Sequence, residues 1–205
     1  MTQDQTNEEK AMNIGLSKQP TNSLMYNTRA SAMWDIIEMA WPVGCTFADL
    51  GCGYGDFCYN ALTHDLYCKA IPIDIDAQNI AITREKCKDH MNRMVGFVAD
   101  LNEVGVISWA SRVAKVAVCT SVLPYIGWQN ALVRIATHFS IAFIECQYRG
   151  DGPGTIRDDD AMYKILSTSG FTSSTLLGVT VVEGRFYNGQ QVKRSIWKCH
   201  GENNG

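Results

Sequence analysis

Residues 47–55, Phe47-Ala48-Asp49-Leu50-Gly51-Cys52-Gly53-Tyr54-Gly55, set a carboxylate near the end of an apolar run and follow it with three alternate glycines. Glycine lacks a Cβ, so it accepts positive φ without strain and lets a ligand press against the backbone. A helix-like stretch, Asp56 to His64, comes next. In open α/β sheets such a turn, at the carboxyl end of a parallel strand, is where nucleotide-like ligands lodge. Alone, a GxGxG turn reads equally well as a plain connection. Two further acids stand in comparable places. Ala70-Ile71-Pro72-Ile73-Asp74-Ile75-Asp76 reads as a second buried strand ending in carboxylates, with Asp74 25 residues after Asp49. Val95-Gly96-Phe97-Val98-Ala99-Asp100 reads as a third. An Asp at a strand end is commonly a turn or helix-cap residue, and Asp76 suits that role. An acid closing the second strand is also placed to accept from both hydroxyls of a ribose.

These acids converge only if their strands lie side by side and parallel. Apolar residues at Ala32, Met33, Ile36, Ile37 and Ala40 predict a helix over Thr28–Ala40, ended by Trp41-Pro42-Val43-Gly44. Strand and helix character then alternate. Strands are expected at Thr46–Leu50, Leu66–Ile73, Val95–Ala99, Ala114–Cys119 and Ile141–Cys146. Helices are expected at Asp76–His90 with Asp76 as N-cap, at Gly127–Phe139, and at Asp158–Thr168 capped by Arg157 or Asp158. The alternation predicts a mainly parallel sheet with helices on both faces and right-handed crossovers. Thr172–Val182 and Arg185–Cys199 read as a C-terminal antiparallel hairpin with room for a bulge. A single domain is expected over 23–200, with polar tails at 1–22 and 201–205.

The 205 residues suffice for one sizeable core, and the 46% hydrophobic share is ordinary for a soluble chain. No apolar run approaches the ~20 residues of a membrane span, and the start does not read as a signal peptide. Cysteines 45, 52, 58, 68, 87, 119, 146 and 199 form no CxxC pair and no metal-ligand spacing with the four histidines. Free, buried thiols, no metal and a reducing cytoplasmic setting are the expectations. The net charge of −3 argues against a nucleic-acid binder, which draws much of its affinity from a basic field. Arg84, Lys86, Lys88 and Arg93 alternate with Glu85 and Asp89, as on a solvated helix face.

Taken in order, Phe47 to Gly55, Ile73-Asp74-Ile75-Asp76, Val98-Ala99-Asp100 and Val116-Ala117-Val118-Cys119-Thr120-Ser121-Val122-Leu123 resemble the motifs of class I S-adenosylmethionine-dependent methyltransferases, over roughly residues 25–199. The dinucleotide fingerprint GxGxxG fits less well, because the third glycine comes one residue early. The resemblance implies a Rossmann-like α/β fold: a seven-stranded, mainly parallel sheet ending in an antiparallel hairpin. It implies S-adenosylmethionine as cofactor, with S-adenosylhomocysteine as product. It assigns Gly51, Cys52, Gly53 and Gly55 to the turn beneath the methionine half and Asp49 to its amino group. Asp74 and Ile75 would meet the ribose side, with Asp76 as fallback, and Asp100 and Leu101 the adenine. Thr120 and Ser121 would face the sulfonium and the acceptor, with Leu123, Pro124 and Tyr125 in a loop able to close over them.

In-line methyl transfer needs alignment above all, and a base only where the nucleophile must lose a proton. Glu145, His138 and Asp151 are the candidate bases, Glu145 because a charge inside an apolar strand is costly unless it faces a cleft. Tyr148 and Arg149 lie in a strand-end loop, where specificity residues concentrate. Tyr26 and Arg29 could form part of a lid, and Arg185 and Arg194 could meet an anionic acceptor. The fourth strand ends without Asp/Asn-Pro-Pro-Tyr, which disfavours base amino-methylation of that type, and Cys119 is not preceded by proline as in cytosine-C5 enzymes. The Lys-Asp-Lys-Glu tetrad of ribose 2′-O-methyltransferases is unmet: Thr120 stands where its Asp is expected and Glu145 near its second Lys. The reading is methyl transfer to O or N of a small molecule. Its alternatives are an RNA or protein acceptor, and a non-catalytic cofactor-binding partner or regulatory subunit.

Overall fold

The computed structural model describes residues 21–120, 123, 127–148, 156, 158–183 and 191–202. Helix α1 (Thr21–Ile37) and a short 3-10 turn (Glu38–Ala40) lead into β1 (Thr46–Leu50) and α2 (Asp56–His64). Then come β2 (Lys69–Asp74), α3 (Ala77–Lys86), a 3-10 stretch (Lys88–Arg93), β3 (Phe97–Val98), α4 (Val106–Val113) and β4 (Val116–Cys119). The chain continues through α5 (Trp128–His138), β5 (Ile141–Gln147), α6 (Asp159–Thr168), β6 (Ser173–Glu183) and β7 (Gln191–His200). The strands form one seven-stranded sheet in the order β3-β2-β1-β4-β5-β7-β6. The first five pair parallel, and β7 enters antiparallel between β5 and β6. The mainly parallel sheet with a C-terminal antiparallel hairpin is thus what forms.

Burial of the interior of β1, β4 and β5 on both faces explains the two helical layers, since a parallel strand covered on both sides is mostly apolar, here interrupted by the acids Asp49 and Glu145. Successive residues point to opposite faces. Ala48, Leu50, Ala117 and Ile144 pack beneath α4, α5 and α6, through Ile107, Leu132 and Met162. Phe47, Val118, Phe143 and Ile196 pack beneath α1 and α2, through Met33, Trp34, Phe57 and Leu62.

Several boundaries differ from expectation. α1 starts at Thr21, seven residues before Thr28. β2 starts at Lys69 because the Asp65 carboxylate accepts the N–H groups of Tyr67 and Cys68 and holds 65–68 in a turn. The helix after β2 changes to 3-10 geometry beyond Lys86. α4 was not expected at all. Gly105, at φ 110°, opens it; only Ile107 and Ala110 are buried, with Val106 partly buried against the core, too short a pattern to read as a helix. The hairpin carries its bulge between Leu176 and Gly178, where a Cβ on Gly178 would sit 3.0 Å from Ile36 of α1.

Of the expected tails, 1–20 and 203–205 lie outside the described residues. Packing continues past residue 200: the N–H of Gly201 donates to Ser140 O (3.1 Å) and that of Glu202 to Ala136 O (2.9 Å). All eight cysteines are free, and all but Cys45 are buried. Among the described residues no helix is long and apolar enough to cross a membrane.

Candidate functional site

The glycine turn rises from the carboxyl end of β1 and is tied to β2, because the N–H groups of Gly51 and Cys52 both donate to Ile73 O, at 2.8 and 3.1 Å. Gly51, Gly53 and Gly55 all take left-handed φ, 76°, 53° and 70°. The three glycines do different work. A Cβ on Gly55 would fall 2.4 Å from Thr83 Cγ2, so Gly55 lets α2 start against α3. A Cβ on Gly53 would meet nothing within 4 Å among the described residues; its bare backbone faces open space there. Cys52 turns inward, its thiol 3.8 Å from Thr83 Oγ1. Burial pushes that thiol far above its ordinary range, with the Asp49 and Asp74 charges adding to the effect.

Asp49, the penultimate residue of β1, is fully buried. Its Oδ2 accepts from the Cys58 thiol at 3.2 Å. Its Oδ1 has no hydrogen-bond partner among the described residues. Burial pushes the carboxyl up to about 7, against the Cys58 hydrogen bond and the Arg29 charge, which pull it down; Asp74 and Asp56 push it higher. An unmatched buried acceptor is costly, and a donor arriving at Oδ1 would relieve that cost.

Asp74 closes β2 beside the turn. Its Oδ2 accepts from Gly53 N (2.9 Å), and its Oδ1 from Asp76 N (2.9 Å) and Asn79 Nδ2 (3.1 Å). A carboxylate offers about four lone-pair sites, so one remains on Oδ2. As the turn stands, Asp74 can accept one ribose-type hydroxyl rather than the two expected. Asp76 is the N-cap of α3, accepting from Gln78 N at 2.8 Å. Ile75 is 65% exposed at the same strand end, free to lie against a flat ligand. Asp100 is half-buried, and its Oδ1 accepts from both the backbone N and Nδ2 of Asn102. Leu101 is buried in the core under α4 and α5, so its side chain serves packing there.

Thr120 follows Cys119, the partner of Ile144, so it comes level with Glu145 on the face covered by α1. The Glu145 carboxylate does not owe its place to a cleft. It is 1% exposed and ion-paired to Arg194 of β7 (3.1 Å) and Arg29 of α1 (3.6 Å), both themselves nearly buried. Two guanidinium groups meet the cost of burying it, and the assignment of Glu145 as base and of Arg194 as an open anion contact both yield to this lock. Removing one member of a buried ion pair strands the rest. Glu145→Gln is therefore expected to lower stability by about 3 kcal/mol in denaturant unfolding.

His138 ends α5, three residues before β5 begins, at the opposite end of the sheet from the glycine turn. That placement removes it from the candidate bases. The Tyr148 hydroxyl, expected to reach an acceptor, instead donates to Asp159 and shares a 2.6 Å hydrogen bond with buried Ser195. Lys193 completes the cluster, 3.1 Å from Asp159 and over the Tyr148 ring. Ser121, Pro124, Tyr125, Arg149, Asp151 and Arg185 lie outside the described residues, as does the side chain of Tyr26. Sequence reasoning missed the Cys58–Asp49 contact and the partners of Glu145. The signal for the first was the spacing of Asp49 and Cys58 across a strand–turn–helix unit.

At the level of sequence, no family model matches the chain, and no curated protein is significantly similar to it. Solved structures share its fold. The [4+2]-cyclase SpnF superposes with a TM-score of 0.65 at 11% identity, over 84% of this chain and 81% of that one. Magnesium protoporphyrin IX methyltransferase (ChlM) from Synechocystis PCC 6803, solved with bound SAM, gives 0.62 at 14% identity, over 87% and 81%. A putative RNA methyltransferase, PH1948 from Pyrococcus horikoshii, gives 0.63 at 14% identity, over 93% and 88%. The chain spans 40% of the length of another such structure, EvdMO1. At these identities the likeness is one of fold, the Rossmann-like fold of class I methyltransferases.

Proposed function

We propose that this chain binds S-adenosylmethionine at the β1–β2–β3 strand ends and transfers its methyl group to O or N of a small-molecule acceptor. One pairing carries the reading: the open backbone at Gly53, in the turn that follows β1, and the buried, half-satisfied carboxylate of Asp49 in that same strand. The first is a cradle that any side chain would fill. The second is an acceptor lacking a donor, which the cofactor's ammonium would supply. Asp74 would accept a ribose hydroxyl, Ile75 would lie against the adenosyl moiety and Asp100 would accept from the adenine edge. When bound, the cofactor supplies an electrophilic methyl group on a sulfonium. The chain's own part is to orient and to exclude water, with Thr120 at the end of β4 nearest the transfer. Support for the fold's use with this cofactor comes from ChlM, solved with SAM bound.

A small acceptor is favoured by the acidic balance of the chain, net charge −3. Turnover to S-adenosylhomocysteine with a metabolite extract, but not with RNA, is the expected outcome. Turnover with RNA or protein alone would replace the acceptor class. A second reading has its own observation. Glu145 is locked in an ion-pair network and His138 lies remote, so among the described residues neither serves as an open base at the site. A cofactor-binding partner without catalysis would bind S-adenosylhomocysteine and turn over on no extract.

Asp74→Ala is expected to weaken S-adenosylhomocysteine binding at least about tenfold, about 1.4 kcal/mol. It also frees the N–H groups of Gly53 and Asp76, so the melting temperature should fall. Unchanged affinity by calorimetry would refute the assignment.

A further inference from the structure

At the opposite end of the sheet, where β1 and β2 begin, lies a cleft of about 260 Å³ that has no part in the reading above. Its wall is aromatic. Trp34 stacks on His64, with ring centroids 5.6 Å apart and planes 26° apart, and Trp41 leans on Trp34 at 5.3 Å. Its polar groups are acids: Glu38, exposed at the mouth, and Asp65 in the floor. The Asp65 carboxylate is fixed by four donors, Trp41 Nε1, Gly44 N, Tyr67 N and Cys68 N, at 2.7–3.2 Å. Among the described residues no lysine or arginine lines the cleft. Arg93 and Lys198, from neighbouring segments, spend their charge on the backbone carbonyls of Leu62, Asp65 and Ala40.

Two further observations point to a visitor. Val43, Leu66 and Tyr67, which line the cleft, are 80%, 67% and 77% exposed. Such an exposed apolar patch with a polar rim marks an interaction surface. Trp34 is also buried with its Nε1 lacking any hydrogen-bond partner among the described residues, a donor in want of an acceptor.

We propose that this cleft receives a basic side chain, arginine or lysine, carried by a partner polypeptide. The aliphatic stem would lie along Val43 and Leu66, as long cationic side chains do on apolar surface. The cation would meet the exposed Tyr67 ring and the Glu38 carboxylate at the mouth, with the Asp65 charge, its acceptor sites already filled, adding its field from the floor. A peptide carbonyl beside that side chain supplies the acceptor Trp34 lacks, which a bare cation cannot. Arginine anchors set into pockets are a common source of binding energy at protein interfaces.

The test is a titration of the full chain, following the indole N–H signals of Trp34 and Trp41 by NMR. N-acetyl-arginine N-methylamide and its lysine counterpart are the probes, and N-acetyl-citrulline N-methylamide is the neutral isostere. Both basic probes are expected to shift the two signals saturably, and the citrulline probe to bind about fivefold more weakly. Glu38→Ala and Tyr67→Ala, both at exposed positions, should each weaken the basic probes while leaving S-adenosylhomocysteine affinity and melting temperature unchanged. Equal binding of the citrulline probe, or no shift with any probe, overturns the proposal. Shifts that follow protein concentration alone also overturn it, because a second copy of the chain would then be the occupant.

Discussion

Gly53→Val is expected to abolish S-adenosylhomocysteine binding, by at least about a hundredfold or 2.7 kcal/mol, in a domain that remains folded. The two halves of that outcome have separate causes. Gly53 sits at φ 53°, a left-handed conformation that costs an L-residue roughly 1–2 kcal/mol, and a β-branched one more. A domain of ordinary stability, about 5–15 kcal/mol, absorbs this. Among the described residues no atom lies within 4 Å of the new Cβ, so the substitution meets no clash there. The side chain instead stands in the space the ligand needs. Gly55→Ala makes the contrasting case within the same turn. Its Cβ would collide with Thr83 at 2.4 Å, so the loss should appear in the melting temperature. Calorimetry with S-adenosylhomocysteine, beside circular dichroism melts of both variants, separates these effects. A folded Gly53→Val protein with normal affinity would mean that the turn does not approach the ligand.

The difference between those two glycines could not be read in the sequence, and it shows where legibility ends. Local signals were strong wherever one residue type has one physical use. The glycine turn, the Asp76 cap, the Asp158 cap and the alternation of buried strands with helices were all legible. Long-range pairings were not. Glu145 in an apolar strand poses a question of cost, and a cleft and an ion pair answer it equally well until Arg29 and Arg194 are seen to arrive from α1 and β7. Tyr148 is similar: its hydroxyl was open to assignment until Asp159 and Ser195 were found on it. The same holds for α4, where two buried residues and a partly buried Val106 left too little pattern to read. The aromatic cleft at the far end depends on Trp34 meeting His64, a contact with no mark in spacing.

Asp49 supplies the second large effect, a dependence on pH with opposite signs for stability and for binding. Burial raises its carboxyl from 3.8 in the unfolded chain to about 7 in the fold. Between those values the native state keeps a proton that the unfolded chain has lost. The stabilising contribution is therefore complete below about pH 4 and lost as the pH rises through about 7. A cationic ammonium at Oδ1 asks for the reverse, because it pairs with the ionised carboxylate and binding must expel the proton. From pH 6 to pH 8 the ionised fraction of a group titrating near 7 rises about tenfold, and the affinity for S-adenosylhomocysteine should rise with it. The ligand's own amino group titrates near 8, but it does so equally against any variant. The ratio of wild type to Asp49→Asn therefore isolates the carboxylate. Asp49→Asn should lose the rise in affinity and also the fall in stability between about pH 4 and 7. Calorimetry at pH 6 in two buffers of different ionisation enthalpy should find close to one proton released per ligand in the wild type and none from this site in the variant. Parallel affinity profiles in the two proteins would show that the ammonium binds elsewhere. Asp49 would then be a carboxylate held only by Cys58, and its buried oxygen would need another explanation than the cofactor.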